Sequence, residues 1–379
     1  MSEKQIRVGV VGARAGAGWA KLAHIPAINS LPALKLAAVA TRHEASARQA
    51  AQAFGAERWF SDPFAMIGDE RIDLITISLK VPAHRELVLA ALAAGKAVYC
   101  EAPLGRTLAE TEEMASAAGS LHTAIGLQGR LNPAARRAAE LLSSGRLGRP
   151  LNARIVSATT GFGPQMLSEH DLFNKTASGA NLLTIMAGHT LDLIEALLGP
   201  VLEVNARTEI LWPTVMLTDT GVQSVRETAD QIGVLGKTSS GAVFTADISA
   251  GVAPQDVRFS FEVRGSEGWL SLASDHPYGF QAGDLTLASN IPFALPDAAA
   301  VSGGWMGAAI NVGEVYARLV RDLRAGTYST RGFEHAFHNA RLIDVVRRAA
   351  ERGERQTVRQ PARSRHDLEG ARAPLASRP

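Results

Sequence analysis

Residues Ile6 to Val11 form a valine- and isoleucine-rich run that stops at Gly12. A short apolar run with no polar alternation is a strand buried on both faces, as the central strand of a parallel sheet must be. A glycine-rich turn and a helix follow. Leu34 to Ala40 is the second strand, after which Ala47, Ala50, Ala51 and Phe54 recur at helical spacing until Gly55. Ile72 to Ser78 reads as another strand and Leu87 to Gly95 as a helix closed by glycine. Val98 opens a short buried strand that runs into Glu101-Ala102-Pro103. Thr107 and Glu110 have the spacing of a capping box for a helix from Leu108, and Thr123 to Leu127 is one more strand. Strands alternating with helices over about 125 residues predict a doubly wound parallel sheet of Rossmann type.

After Gln128 the pattern changes. Asn132-Pro133 opens a helix with Ala135, Ala138, Ala139 and Leu142 on its buried face, ended by Gly145. Leu151 to Thr160 is a long strand, and a helical stretch, Gly179 to Leu198, follows an irregular segment. Strands are expected near 201–212, 230–237, 242–250, 256–264 and 267–273. Thr238-Ser239-Ser240-Gly241 and Gly265-Ser266-Glu267-Gly268 read as hairpin turns, so this second sheet is mostly antiparallel. Two final helices run near 307–325 and 333–352. The expected fold class is α/β, with a Rossmann domain over 1–128 and a C-terminal α+β domain with a large open sheet over 129–358. The tail, 359–379, mixes Pro, Arg, Ser and Ala without periodicity and reads as disordered.

At 379 residues the chain is long for one core, which agrees with two domains. Net charge is +2, but the stretch from Arg347 carries nine Arg against four acids. The remaining body is therefore about −3, and no nucleic-acid partner is expected. No apolar run approaches the roughly 18 residues of a membrane helix, and no secretory signal is expected ahead of the first strand. Cys100 is the only cysteine, so no intrachain disulfide forms, and a cytoplasmic location is expected. No His, Cys, Asp and Glu set has metal-ligand spacing, so no metal is expected.

Strand, Gly12-Ala13-Arg14-Ala15-Gly16-Ala17-Gly18, helix is the layout of a dinucleotide site: backbone close to a pyrophosphate, with a helix N-terminus aimed at it. The usual Gly-x-Gly-x-x-Gly spacing is not met, because Arg14 takes the second glycine's place; Gly16 and Gly18 point to a longer turn. A glycine-rich loop of another α/β protein has the same appearance. At the end of the second strand stand Thr41 and Arg42, where a carboxylate would select the unphosphorylated coenzyme. Arg42 suits a clamp on a 2′-phosphate, and equally a solvated arginine at a helix start. The balance leans to NADP over NAD. Trp19 suits stacking on the coenzyme as well as core packing.

Several stretches in order carry a resemblance. They are the glycine turn with Gly18-Trp19-Ala20, His24-Ile25-Pro26-Ala27, Ile72 to Ile77, and Lys80-Val81-Pro82 before His84. Ala90 to Val98, Glu101-Ala102-Pro103-Leu104, Gly126 to Arg130 and Gly145 to Pro150 follow. The chain resembles the Gfo/Idh/MocA family up to about Val358, in the branch that includes the fungal galactose-pathway repressor and its bacterial relatives. The resemblance implies hydride transfer between a nicotinamide and a hydroxyl-bearing carbon of a sugar, cyclitol or related polyol. It implies a homodimer or homotetramer through the C-terminal sheet. The implied coenzyme rim is Gly12, Arg14, Gly16, Gly18, Trp19, Thr41, Arg42, Lys80, Val81, His84, Glu101, Ala102, Pro103 and Gln128.

The family has a lysine where this chain has Ala102, and an Asp four residues before its catalytic His. Gly188-His189-Thr190-Leu191-Asp192 matches the end of that motif, but Ile185 and Thr184 stand where the upstream acid belongs. Two readings remain open. In the first the chain is an enzyme: His189 carries the proton, Asp192 shares its helix face, and Lys80, at the ligand edge of the sheet, replaces the missing amine. Arg130, His170, Asn174 and Lys175 are candidate substrate contacts, and each also suits an ion pair or solvated loop. In the second the chain is a dinucleotide sensor that has relaxed its catalysis and acts through a protein partner.

Overall fold

A computed structural model describes residues 4–295 and 307–359. The expected disordered tail lies, from residue 360, outside the described residues. Two sheets organise the molecule. The first contains β1 (Ile6–Val11), β2 (Leu34–Ala40), β3 (Arg58–Phe60), β4 (Leu74–Ile77), β5 (Ala97–Cys100) and β6 (Thr123–Ile125). All pair parallel, in the order β3-β2-β1-β4-β5-β6. Val8, Val10, Leu74, Ile75, Ile77, Val98 and Cys100 are fully buried, as the two-sided cover of a parallel sheet requires. Its helices are α1 (Ile25–Ser30), α2 (Glu44–Phe54), α3 (Pro63–Ile67), α4 (His84–Ala93) and α5 (Leu108–Ala118).

The capping signals act much as the sequence suggests. Thr107 Oγ1 accepts from the Glu110 amide at 3.1 Å, and the Glu110 carboxylate accepts from the Arg106 amide, one residue before the cap. Asn132 Oδ1 accepts from the Ala134 amide and starts α6 (Pro133–Ser143).

The second sheet has the order β16-β15-β14-β7-β13-β12-β9-β17. Its strands are β7 (Pro150–Ala158), β9 (Val201–Glu209), β12 (Gln231–Thr238), β13 (Val243–Ser249), β14 (Arg258–Gly265), β15 (Trp269–Ser274), β16 (Thr286–Ser289) and β17 (Gln356–Thr357). The β12–β13 and β14–β15 pairs are the antiparallel hairpins expected from their turns; only β7 and β13 pair parallel. A small third sheet joins β8 (Gln165–Met166), β10 (Thr214–Leu217) and β11 (Val222–Val225) in the order β11-β10-β8. One face of the large sheet buries Ile155, Phe244, Phe261 and Leu272 against α7 (Gly188–Leu198) and α9 (Phe333–Arg352). Along β13 and β14 burial alternates residue by residue, so the opposite face is open to solvent.

The last long helices return to the first sheet. Val312, Val315, Tyr316 and Leu319 of α8 (Ala308–Ala325) join the core formed by β1, β2 and α1. Phe333 and Ala336 of α9 pack with Leu104, Met114 and Ile125. These helices carry side chains from the end of the chain to the C-terminal edge of the parallel sheet.

Candidate active site

The strand order of the parallel sheet reverses between β1 and β4, which opens a crevice at their C-terminal ends. Gly12 leaves β1 with φ +90°, and a Cβ there would lie 2.3 Å from the Ser78 carbonyl oxygen at the end of β4. Only glycine satisfies both demands. A Cβ on Gly16 or Gly18 would meet nothing within 4 Å, so the far side of the turn faces open space. The Lys21 ammonium donates to the Gly16 carbonyl at 3.1 Å and shapes the turn. Ala20–His24 then forms one π-helical turn that runs into α1. A tight backbone at Gly12 and free space beyond it fit a bound pyrophosphate. The Arg14 side chain points outward toward Glu169, 3.8 Å away. Trp19 packs on the core behind the turn.

Beyond β2, Thr41 is buried, its hydroxyl 2.7 Å from Ser46 Oγ, whereas Arg42 is exposed with no ion-pair partner among the described residues. Beyond β4, Lys80 donates to the Glu169 backbone carbonyl and Val81 is buried. His84 is buried, with its ring nitrogens against the carbonyls of Leu79, Pro103 and Leu104 at 3.0–3.2 Å. Burial pushes its pKa down. It ties the loop after β4 to the loop after β5, where Ala102–Pro103 is a cis peptide. Cys100, the last residue of β5, is fully buried and its thiol pKa is pushed well up by that burial.

Glu101 has a buried neighbour that local sequence does not reveal. Its Oε1 lies 2.8 Å from His24 Nε2, and His24 Nδ1 lies 2.9 Å from the Tyr316 hydroxyl of α8. That hydroxyl is 2.7 Å from Thr76 Oγ1 in β4. Glu101 Oε2 sits over Gly126 so closely that a Cβ there would be 2.4 Å away.

The α7 helix carries His189 and Asp192, both buried, with His189 close enough to Glu101 to feel its charge. Burial pushes the His189 ring down to about 4, against the opposing pull of Asp192 and Glu101. The ring is therefore neutral at pH 7, and no described residue hydrogen-bonds it. Asp192 behaves oppositely: burial would raise it, but Arg130 and His335 hold it down at about 2. Its Oδ1 accepts from Arg130 Nη1 at 2.8 Å and from His335 Nε2 at 2.6 Å. At 2.6 Å from a carboxylate the His335 Nε2 must carry hydrogen, so Arg130 and His335 both donate to one oxygen. Arg130 thus sits in a buried ion pair. Gln128, next to it, is buried with its Oε1 unpaired.

At the upstream positions no acid appears. Thr184 exchanges hydrogen bonds with Asn181, and Ile185 packs on the large core. In the segment 168–178, His170 is half-buried, stacked on Phe173. Asn174 Nδ2 donates to Asp171 Oδ1 at 3.0 Å. Lys175 donates to the Val225 carbonyl of β11 at 2.8 Å, which ties the segment to the small third sheet. Among the described residues no group of three or more His, Cys, Asp and Glu could hold a metal ion.

The sequence reading missed His24, Thr76, Tyr316 and His335. His24 lies within a quoted motif, directly after the glycine turn. The other three carry no local signal, because their partners stand 143 to 292 residues away in the chain.

A model of an oxidoreductase family with an NAD-binding Rossmann fold matches residues 6–127, and one of the C-terminal domain of Gal80p matches residues 133–274. The dehydrogenase aclE of Aspergillus oryzae is 34% identical over 57% of this chain and 61% of its own length, so the chain spans less than two thirds of that relative. D-apiose dehydrogenase of Paraburkholderia graminis is 27% identical over 83% of this chain and 80% of its own. The solved structure of levoglucosan dehydrogenase in complex with NADH and L-sorbose superposes with a TM-score of 0.80 at 21% identity. It covers 95% of this chain and 100% of that one, a likeness of fold.

Proposed function

Since the chain belongs to the Gfo/Idh/MocA oxidoreductase family and carries its NAD-binding Rossmann fold, we propose that it moves hydride between a nicotinamide dinucleotide and a hydroxyl-bearing carbon of a sugar, cyclitol or related polyol. What supports this reading is a neutral, buried His189 within electrostatic reach of Glu101, which follows β5 of the sheet whose first strand ends in the glycine turn.

Hydride transfer is the chemistry a bound nicotinamide supplies. The chain's own residues hold the ligands and manage one proton. Gly12, Gly16 and Gly18 give backbone access to the pyrophosphate. Thr41 and Arg42 frame the adenosine ribose. Arg42, exposed and without a salt bridge, favours a 2′-phosphate and hence NADP. A free ring nitrogen of His189 accepts the substrate hydroxyl proton. The neutral imidazole is the form that can accept that proton; burial lowers its basicity, and the charges of Asp192 and Glu101 offset this in part. Asp192, charge-balanced by Arg130, keeps a fixed negative charge beside the imidazolium that forms. Lys80 supplies an ammonium in place of the one absent at Ala102, exchanging the Glu169 carbonyl for a substrate oxygen.

We assign the assembly to the outer face of the large sheet, where Leu235, Val243 and Trp269 are exposed. Light scattering of the wild type and of Trp269→Glu tests a dimer or tetramer there. No helix among the described residues is long and apolar enough to cross a membrane. One buried cysteine suits a reducing cytoplasm.

A second reading, a dinucleotide sensor acting through a protein partner, is favoured by Ala102 and Ile185 at the positions of the family's lysine and acid, and by the Gal80p match. The deciding experiment titrates NADPH and NADH by fluorescence, then follows nicotinamide absorbance across a panel of sugars and cyclitols. Turnover of one panel member supports the enzyme. Micromolar coenzyme binding with no turnover across the panel supports the sensor.

A further inference from the structure

Four side chains from three distant parts of the chain form one buried hydrogen-bonded row: Thr76 of β4, Tyr316 of α8, His24 of the π-helical turn and Glu101 after β5. Thr76, Tyr316 and His24 are wholly buried, and only the Glu101 end reaches solvent, with 15% of its side chain exposed. Its links are 2.7, 2.9 and 2.8 Å. The Tyr99 ring fills the space beside it, edge-on to both His24 and Tyr316 at 5.0 Å.

With the His24 ring neutral, the row has one self-consistent polarity. A carboxylate only accepts, so His24 Nε2 carries the hydrogen toward Glu101. The neutral ring then accepts at Nδ1, and the only group there is the Tyr316 hydroxyl, which must donate. Burial pushes the Tyr316 pKa up, which keeps that hydrogen in place. The phenol oxygen accepts in turn from Thr76. Each donor is used once and each buried group is satisfied, which is the condition under which such rows rigidify a site.

What the row holds is the Glu101 carboxylate. Glu101 directly precedes Ala102–Pro103 and rests over Gly126 at the end of β6, so it is gripped from two sides. We propose that His24 and Tyr316 are positioning residues that hold the Glu101 carboxylate at the crevice floor as the acceptor for a hydroxyl of the bound polyol. This rests on the oxidoreductase reading and adds a substrate-orienting group where the family's lysine is absent. His24 contacts no ligand itself; it acts through Glu101.

The test uses the full-length protein with Tyr316→Phe, His24→Leu and His24→Gln. Glutamine keeps both functions of the row, an N–H toward Glu101 and an oxygen toward Tyr316, whereas leucine keeps neither. With the best polyol of the panel, kcat/KM should fall about 10-fold in Tyr316→Phe and up to about 100-fold in His24→Leu, the range for hydrogen bonds to charged groups. His24→Gln should return to within a few-fold of wild type, with coenzyme affinity within two-fold throughout. Equal losses in His24→Gln and His24→Leu, or unchanged kcat/KM in all three, would overturn the proposal. If the wild type turns over no polyol, the oxidoreductase reading fails first, and nitrogen-15 NMR of His24 then decides on the row alone. A wild-type Nε2–H tautomer whose Nδ1 resonance shifts in Tyr316→Phe supports it; an Nδ1–H tautomer in the wild type, or an Nδ1 resonance unmoved in that variant, overturns it.

Discussion

Asp192 and His335 meet at 2.6 Å across 143 residues of sequence, and with Arg130 on the same oxygen they form a closed, charge-balanced group under the crevice. Removing the carboxylate strands a buried guanidinium. Asp192→Ala should therefore cost about 3–5 kcal/mol of stability, as one-sided loss of a buried ion pair does. Urea denaturation measures it; a cost under about 1 kcal/mol would mean that Arg130 finds solvent.

The two ionisable groups of α7 also shape stability against pH. The His189 pKa of about 4 lies below its unfolded value near 6.5, so the unfolded chain binds more protons in that window. Stability is full above about pH 6.5 and declines as pH falls toward 4. From pH 8 to pH 5 the loss from this one group is about 2 kcal/mol. His335, also pushed down by burial, adds in the same direction. Asp192 contributes above its unfolded value near 3.8 and loses that contribution as pH falls toward 2. Urea midpoints recorded across pH 5–8 should slope upward for the wild type and less steeply in His189→Gln, where the His335 contribution remains.

The glycine turn separates folding from ligand binding. Gly12→Ala places a methyl against the Ser78 carbonyl at positive φ and should destabilise the protein by more than about 2 kcal/mol. Gly16→Ala points its methyl into open space at an ordinary φ, so stability should hold within about 0.5 kcal/mol. Coenzyme affinity should nonetheless fall at least about 10-fold, because the pyrophosphate needs that space. Thermal melts paired with NADH titrations separate the two effects.

Much of this was legible in the sequence. The central strands, the capping signals at Thr107 and Asn132 and the two hairpin turns were readable, because each rests on neighbours a few residues away. Strands β3, β8, β10, β11 and β16 were not, since two to four residues are too few to show a period. The π-helical turns at 20–24 and 183–187 are hydrogen-bond choices that composition does not record. His189 and Asp192 could be picked out from a motif. Arg130 was visible as a residue but not as a buried partner of Asp192, and Tyr316 and His335 gain their meaning only when α8 and α9 fold back.

Arg42 decides between coenzymes. If it clamps a 2′-phosphate, Arg42→Ala should weaken NADPH about 10–100-fold and leave NADH within two-fold, the range of a charge-assisted contact. Parallel fluorescence titrations check this. Equal affinity of the variant and the wild type for NADPH would remove Arg42 from the site and favour NAD.

The central claim is that His189 carries the proton of a hydride-transfer reaction, and single-turnover absorbance at the nicotinamide band tests it most directly. With coenzyme and the best panel polyol, His189→Ala should slow the chemical step by about 10²–10⁴-fold while coenzyme affinity stays within two-fold. A variant as fast as the wild type would contradict the account.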